Sequence, residues 1–232
     1  MESGFSIAIE TSCRMGGVAI GRDDQLLEVD DFDASARHAT QLLARLDAML
    51  ARHGVRPSQI AEAYISAGPG GFTGLRIGIT VGRTLGQLLP RLRLVAVPTA
   101  QAVAENAAGL DWQHLAVVMD SKNDQVYAAL FERRSGEIVS SGPPGTATID
   151  EVLAAAPRPL LVTGEALGYV KASGPGVSVA DAAIHMPTAS GVWRVGRRLA
   201  LHRQFVEYAH LLPIYSRKPE AVRLWEKRQD PK

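Results

Sequence analysis

Residues 66–86 read SAGPGGFTGLRIGITVGRTLG. An apolar strand (AYISAGPGG, 63–71) runs into Gly68, Gly70 and Gly71, and a stretch of helical length follows. The junction has two readings. A glycine-rich turn ahead of a helix can aim backbone amides at an anion. A Walker loop, however, needs a lysine that reaches the phosphates, and no lysine stands between residues 66 and 86. The second reading is steric. Gly74, Gly78, Gly82 and Gly86 recur at every fourth position and form one ridge of an α-helix. Each costs about 1 kcal/mol against alanine inside a helix, which is tolerated where close backbone approach restores the loss. Leu75, Ile77, Ile79, Val81, Leu85, Leu88 and Leu89 cover most of the remaining circumference, and Arg76, Thr80, Arg83 and Gln87 make the one polar stripe. Such a helix is buried on more than one side. Its ridge serves either internal packing or a second chain.

Working outward, the segments on either side of the ridge repeat. FSIAIE (5–10), GGVAIG (16–21) and QLLEVDDF (25–32) form a meander with short polar turns. LAVVMD (115–120), QVYAALFE (125–132) and EIVS (137–140) repeat it, with Glu10 and Asp120 in the same place. A helical period over 38–54 is matched by TIDEVLAAA (148–156), where Thr148 or Asp150 is the expected N-cap. The strands AYISAGPGG and LLVTGEALG (160–168) follow, and each precedes a longer helix, at 74–89 and at 189–207. The first copy ends in a further strand, RLVAV (93–97), and Pro98-Thr99 caps a helix over 100–108. The prediction is an α/β protein with a βββαβα unit duplicated in two lobes across a cleft, the plan of the actin, sugar-kinase and Hsp70-like (ASKHA) folds. Residues 1–98 form the N-terminal lobe, 99–216 the C-terminal lobe and 217–232 a basic, solvated tail.

Composition bounds the function. The 232 residues carry a net charge of +1, which argues against nucleic-acid or membrane binding by bulk electrostatics. One cysteine, Cys13, excludes an internal disulfide and fits a reducing compartment. No apolar run approaches the roughly 18 residues of a membrane span, and the N-terminus lacks the pattern of a signal peptide, so a cytoplasmic protein is expected. No two histidines are spaced as a helical metal pair, and neither His-Glu-x-x-His nor Gly-x-Ser-x-Gly occurs, so no metal site is expected. The best cleft candidates are Glu10 and Asp120, with Thr11, Ser12, Gly68 and Gly70 beside them. In two-lobed kinases, acids at these strand ends hold magnesium or activate a hydroxyl. Here neither acid is followed by the glycine that admits a phosphate, and a strand-end carboxylate also caps turns. An independent kinase or ATPase using Glu10 and Asp120 is the alternative reading.

The signature at 66–86, with IAIETS, RHATQLLARLDAML, AVPTAQAVA, VVMDSKNDQVYAALFE and LLPIYSRKPEAV in that order, resembles the TsaB (YeaZ) family. The likeness runs from residue 5 to about 223, and Gly71 stands where serine is common. The resemblance implies an ASKHA fold with no catalytic residues and no cofactor of its own. It implies a non-catalytic scaffold that pairs with a TsaD-type catalytic subunit, with a TsaE-type ATPase joining. ATP and magnesium are then used by the complex, and tRNA is met only through it. The complex transfers a threonylcarbamoyl group to the adenosine beside the anticodon of ANN-reading tRNAs. It also implies a homodimer when alone and no membrane partner. By carry-over, helices 38–53 and 73–89 form the partner surface, and Leu42, Leu46, Met49, Gly74, Gly78 and Gly82 make or support the contact. Gly78→Leu is then expected to block pairing while leaving the lobe folded.

Overall fold

A computed structural model describes residues 4–33, 38–121 and 124–216. The basic tail at 217–232 therefore lies outside the described residues. The described residues form two mixed sheets built on one plan, the duplicated α/β layout expected of an ASKHA fold. In the first sheet, β1 (Phe5–Glu10), β2 (Met15–Arg22) and β3 (Gln25–Asp33) form an antiparallel meander. Helix α1 (His38–Arg52) leads to β4 (Ile60–Gly68), parallel to β1, and α2 (Phe72–Leu88) leads to β5 (Arg93–Pro98), parallel to β4. The strand order is β3-β2-β1-β4-β5. Helix α3 (Thr99–Asn106) then crosses to the second half.

The second sheet repeats the order strand by strand. β6 (His114–Asp120), β7 (Gln125–Arg134) and β8 (Glu137–Ser140) form the meander. A short β9 (Gly145–Thr148) also pairs with β7. Helix α4 (Ile149–Ala155) begins at Thr148, whose hydroxyl accepts the Glu151 amide at 3.3 Å, while the Glu151 carboxylate accepts the Thr148 amide at 2.8 Å. This reciprocal capping box sets the helix start. β10 (Leu160–Thr163) is parallel to β6, and β11 (Val177–Val179) is parallel to β10.

Two elements depart from the expected repeat. Where α2 connects β4 to β5, the second copy has only a 3-10 turn at Glu165–Gly168 and loop between β10 and β11. The helix read at 189–207 is α5 (Ala189–Leu201), and it follows β11. It is therefore the counterpart of α3, not of α2. Its packing differs too. Val192, Trp193 and Val195 join Ala8, Ala19, Tyr64, Val95 and Val97, so α5 covers the first sheet. Trp193 Nε1 donates to Ser6 Oγ at 2.9 Å, and the indole fills the space a side chain at Gly21 would occupy. Helix α3 packs instead on the second sheet, where Ala100, Val103 and Ala104 meet Leu115, Val117 and Phe131. The two crossing helices lie against each other, tied by Thr188 Oγ1 donating to Asn106 Oδ1 at 3.0 Å and by the Arg198–Glu105 ion pair at 3.2 Å.

Candidate functional site

Helices α1 and α2 lie on the other face of the first sheet. Leu42, Leu46, Met49 and Leu50 enter the core with Ile7, Ile9, Val18 and Ile65. The glycine ridge of α2 faces the same sheet. A Cβ at Gly78 would overlap Thr11 Oγ1, one at Gly82 would sit 2.8 Å from Ile65 Cγ1, and one at Gly86 would sit 2.8 Å from Leu94 Cδ1. Gly74, Gly78 and Gly82 are all buried. These contacts answer the opening question: the ridge brings the helix backbone down onto β1, β4 and β5. Leu42, Leu46, Met49, Gly78 and Gly82 thus support the two helices from beneath, and Gly74 is buried as well. The expectation that Gly78→Leu leaves the lobe folded is corrected accordingly, because the new side chain has to displace Thr11.

The glycine turn is filled by its own chain. Gly71 N–H donates to the Ser12 carbonyl at 2.6 Å, and a Cβ at Gly70 would overlap that same carbonyl oxygen. Gly68 has φ +109°, a left-handed conformation open to glycine. Ile214 N–H donates to the Ala67 carbonyl at 2.6 Å, so the C-terminal segment closes the other side of the turn.

Among the described residues the cleft candidates differ in their surroundings. Glu10, Thr11 and Ser12 are buried, with Glu10 at 0% exposure, whereas Asp120 is exposed. Glu10 Oε1 accepts the Ser12 amide, and Ser12 Oγ donates to the same oxygen at 2.6 Å. Glu10 Oε2 and Thr11 Oγ1 have no hydrogen-bond partner among the described residues. Burial pushes the Glu10 carboxyl up from 4.5 to about 7, against the bonds from Ser12. Next along the chain, the Cys13 thiol is buried against Glu165 of the second lobe, and burial and that carboxyl both raise its pKa. Glu165 is itself raised by burial, and it is bonded to Cys13 and to the Asp120 backbone. On the opposite side, Asp31 accepts the Ala189 amide at the head of α5 at 3.0 Å, and burial raises it too.

Cys13 and Glu165 therefore lie between the end of β1 and the end of β6. Sequence reading missed Glu165. Its available signal was the Thr-Gly-Glu at the end of β10, since Gly164 (φ +119°) repeats the left-handed glycine Gly68 at the end of β4. Among the described residues no group of three or more histidine, cysteine, aspartate or glutamate side chains is arranged to hold a metal ion. No helix among them is long and apolar enough to cross a membrane.

Comparison with known proteins agrees with this architecture. The chain is 25% identical over 227 residues to the tRNA threonylcarbamoyladenosine biosynthesis protein TsaB of Bacillus subtilis, covering 94% of this chain and 96% of that one. It is 27% identical over 124 residues to the TsaB of Haemophilus influenzae, covering 52% of this chain and 51% of that one. Among solved structures, YeaZ from Pseudomonas aeruginosa superposes with a TM-score of 0.81 at 24% identity, covering 91% of this chain and 99% of that one, which shows the shared fold. The family model described as "TsaD: tRNA N6-adenosine threonylcarbamoyltransferase" matches residues 32–212. With most of its length inside that model, the chain belongs to the TsaD-type family, within its TsaB/YeaZ group.

Proposed function

We propose that this chain is a non-catalytic scaffold subunit in threonylcarbamoyladenosine biosynthesis. It binds a TsaD-type catalytic subunit, a TsaE-type ATPase joins the pair, and the assembly modifies the adenosine beside the anticodon of ANN-reading tRNAs. The relatives' names support the pathway. One structural observation carries the scaffold role. The outward side of α1 bears Leu43, Ala44, Ala48 and Ala51, all exposed, around a single acid, Asp47, with Leu43 at 52%; Leu88 at the end of α2 is 70% exposed. A surface helix normally turns charged residues to water, and an apolar outer face fits a partner. The partner surface, on this reading, lies on the outer residues of these two helices. On this reading the chain pairs with itself through that face when alone and acts in the cytoplasm. It needs no cofactor of its own, ATP and magnesium serving the complex, and meets tRNA only there.

An independent kinase is the weaker reading, because Glu10 is sealed away from any nucleotide-bound metal in the closed junction. The test is light scattering on a sizing column, with this chain alone and mixed with the TsaD-type subunit of its own organism. The expected result is a dimer that becomes a 1:1 heterodimer, with Leu43→Arg weakening the complex at least tenfold and leaving the chain folded. No complex at micromolar concentrations, with TsaE-type protein and nucleotide present, overturns the scaffold role. Magnesium-nucleotide turnover by the chain alone, abolished in Glu10→Ala, establishes the kinase instead.

A further inference from the structure

We propose that the loop Glu10–Cys13 is a proton-operated latch between the lobes, shut while Glu10 carries a proton and released when Glu10 ionises. The loop is held from three directions. Thr11 lies under Gly78 of α2, and the Ser12 carbonyl takes the Gly71 amide just before that helix. Cys13 reaches across to the second lobe, packed with Ala100, Val103 and Leu115. Any opening of the junction has to withdraw these contacts together.

The surroundings of Glu10 make its charge the controlling quantity. Asp31 faces it from β3, Ser66 from β4, and Ser12 and Cys13 from its own loop. Beyond Cys13 stand Glu165 of the second lobe and Asp120 of β6. Helix α2 meets the loop with Gly78 at Thr11, and the first amide of α5 is engaged by Asp31. Among the described residues no lysine or arginine forms an ion pair with Glu10, Asp31 or Glu165. Among the described residues a carboxylate formed here takes both Ser12 donors on one oxygen, and the only other hydroxyl facing it is that of Ser66, which is shared with Thr99. Ionising a fully buried carboxyl with no cationic partner is costly, so ionisation favours a form in which the carboxyl is hydrated.

Thermodynamic linkage gives the size. Glu10 titrates at about 7 when enclosed, against an ordinary 4.5 once hydrated. Between those values the open form has lost a proton that the closed form retains. The open population therefore rises about tenfold per pH unit and about 300-fold in all, then levels above pH 7. Asp31 and Glu165, also raised, push in the same direction. The latch concerns this chain alone and stands whether or not the scaffold reading does.

Cys13 is the only cysteine of the chain and is 8% exposed, so its labelling reports opening. The experiment measures the rate of reaction with a neutral disulfide reagent from pH 5 to 8, divided at each pH by the rate for a small free thiol. The normalised rate is expected to climb roughly tenfold per unit to pH 7 and then flatten. Glu10→Gln should remove most of that slope, and Glu165→Gln should leave most of it. A flat wild-type profile, or a slope that survives Glu10→Gln and disappears in Glu165→Gln, overturns the proposal. Amide hydrogen exchange at 11–13 in the unaltered protein, corrected for intrinsic rates, must show the same rise, which covers a variant that fails to fold. Core amides of β4 must exchange far more slowly than the loop. Equal rates reduce the opening to whole-chain unfolding and overturn the latch.

Discussion

The first sheet is covered on both faces by long helices, and the second is not. Helices α1 and α2 press on one side of the first sheet and α5 on the other. The second sheet has the seven-residue α4 and the eight-residue α3. Both sheets descend from one plan, and their strands still correspond in order and direction. The difference lies in the helix between the fourth and fifth strands, retained as α2 in one copy and reduced to a 3-10 turn in the other. It shows how a duplicated unit diverges. The strands that close the two sheets stay, while the layer outside them is free to grow in the half that carries the proposed partner surface and to shrink in the half that does not.

The contrast can be broken at its glycines first. Gly78→Leu is expected to cost more than about 3 kcal/mol, because overpacking here meets a buried hydroxyl and the β1 strand below it. Gly168→Ala, in the turn that replaces α2 in the second copy, meets nothing within 4 Å and should change stability by under about 0.5 kcal/mol. Urea unfolding followed by circular dichroism measures both. Similar costs at the two sites would mean that the two helical layers are equally tight.

The paired acids sharpen it next. A carboxyl whose folded pKa is raised contributes stability that is fully present below its unfolded value and lost as pH rises through its folded value. For Glu10 that window runs from 4.5 to about 7, and the loss approaches about 3 kcal/mol. Against a Glu10→Gln variant, which lacks this term, the wild type should lose that much more stability between pH 4.5 and 8. Parallel profiles for wild type and Glu10→Gln would show that burial does not govern Glu10.

The smallest effect tests the thin layer itself. Thr148→Ala removes the cap of α4 and should cost about 1 kcal/mol in urea unfolding. A cost near zero would mean that packing of Val152 and Leu153 alone holds this short helix.

Much of the fold was legible because strands announce themselves locally. Alternating β-branched and apolar runs gave the meanders, and a repeated acid at the strand end tied the two copies together. The glycine ridge of α2 was equally plain, since a four-residue period survives any context. Its direction was not plain, because the helix is apolar around most of its circumference and periodicity carries no sign for which apolar side is innermost. The destination of α5 was hidden for a related reason. An amphipathic helix needs one apolar surface, and the sequence does not say which of two sheets supplies it. Glu165 was hard to read because its signal, a Thr-Gly-Glu at the end of β10, is short and sits in loop-rich sequence, and its meaning comes from Cys13 across the junction.

The placement of α5 has a consequence for how the molecule is made. The lobe synthesised first cannot bury Tyr64, Ala19 or Ala8 until Val192, Trp193 and Val195 have been translated. Domains that are continuous in sequence can fold as they leave the ribosome. Here a nascent chain of the first hundred residues holds a sheet with one face wet, and the contact that completes it spans 187 residues between Ser6 and Trp193. Closure over that distance makes assembly late and slow by topology. The two halves therefore mature as a single unit: a chain released before residue 201 lacks the lid of its first lobe, however perfect that lobe's own sequence.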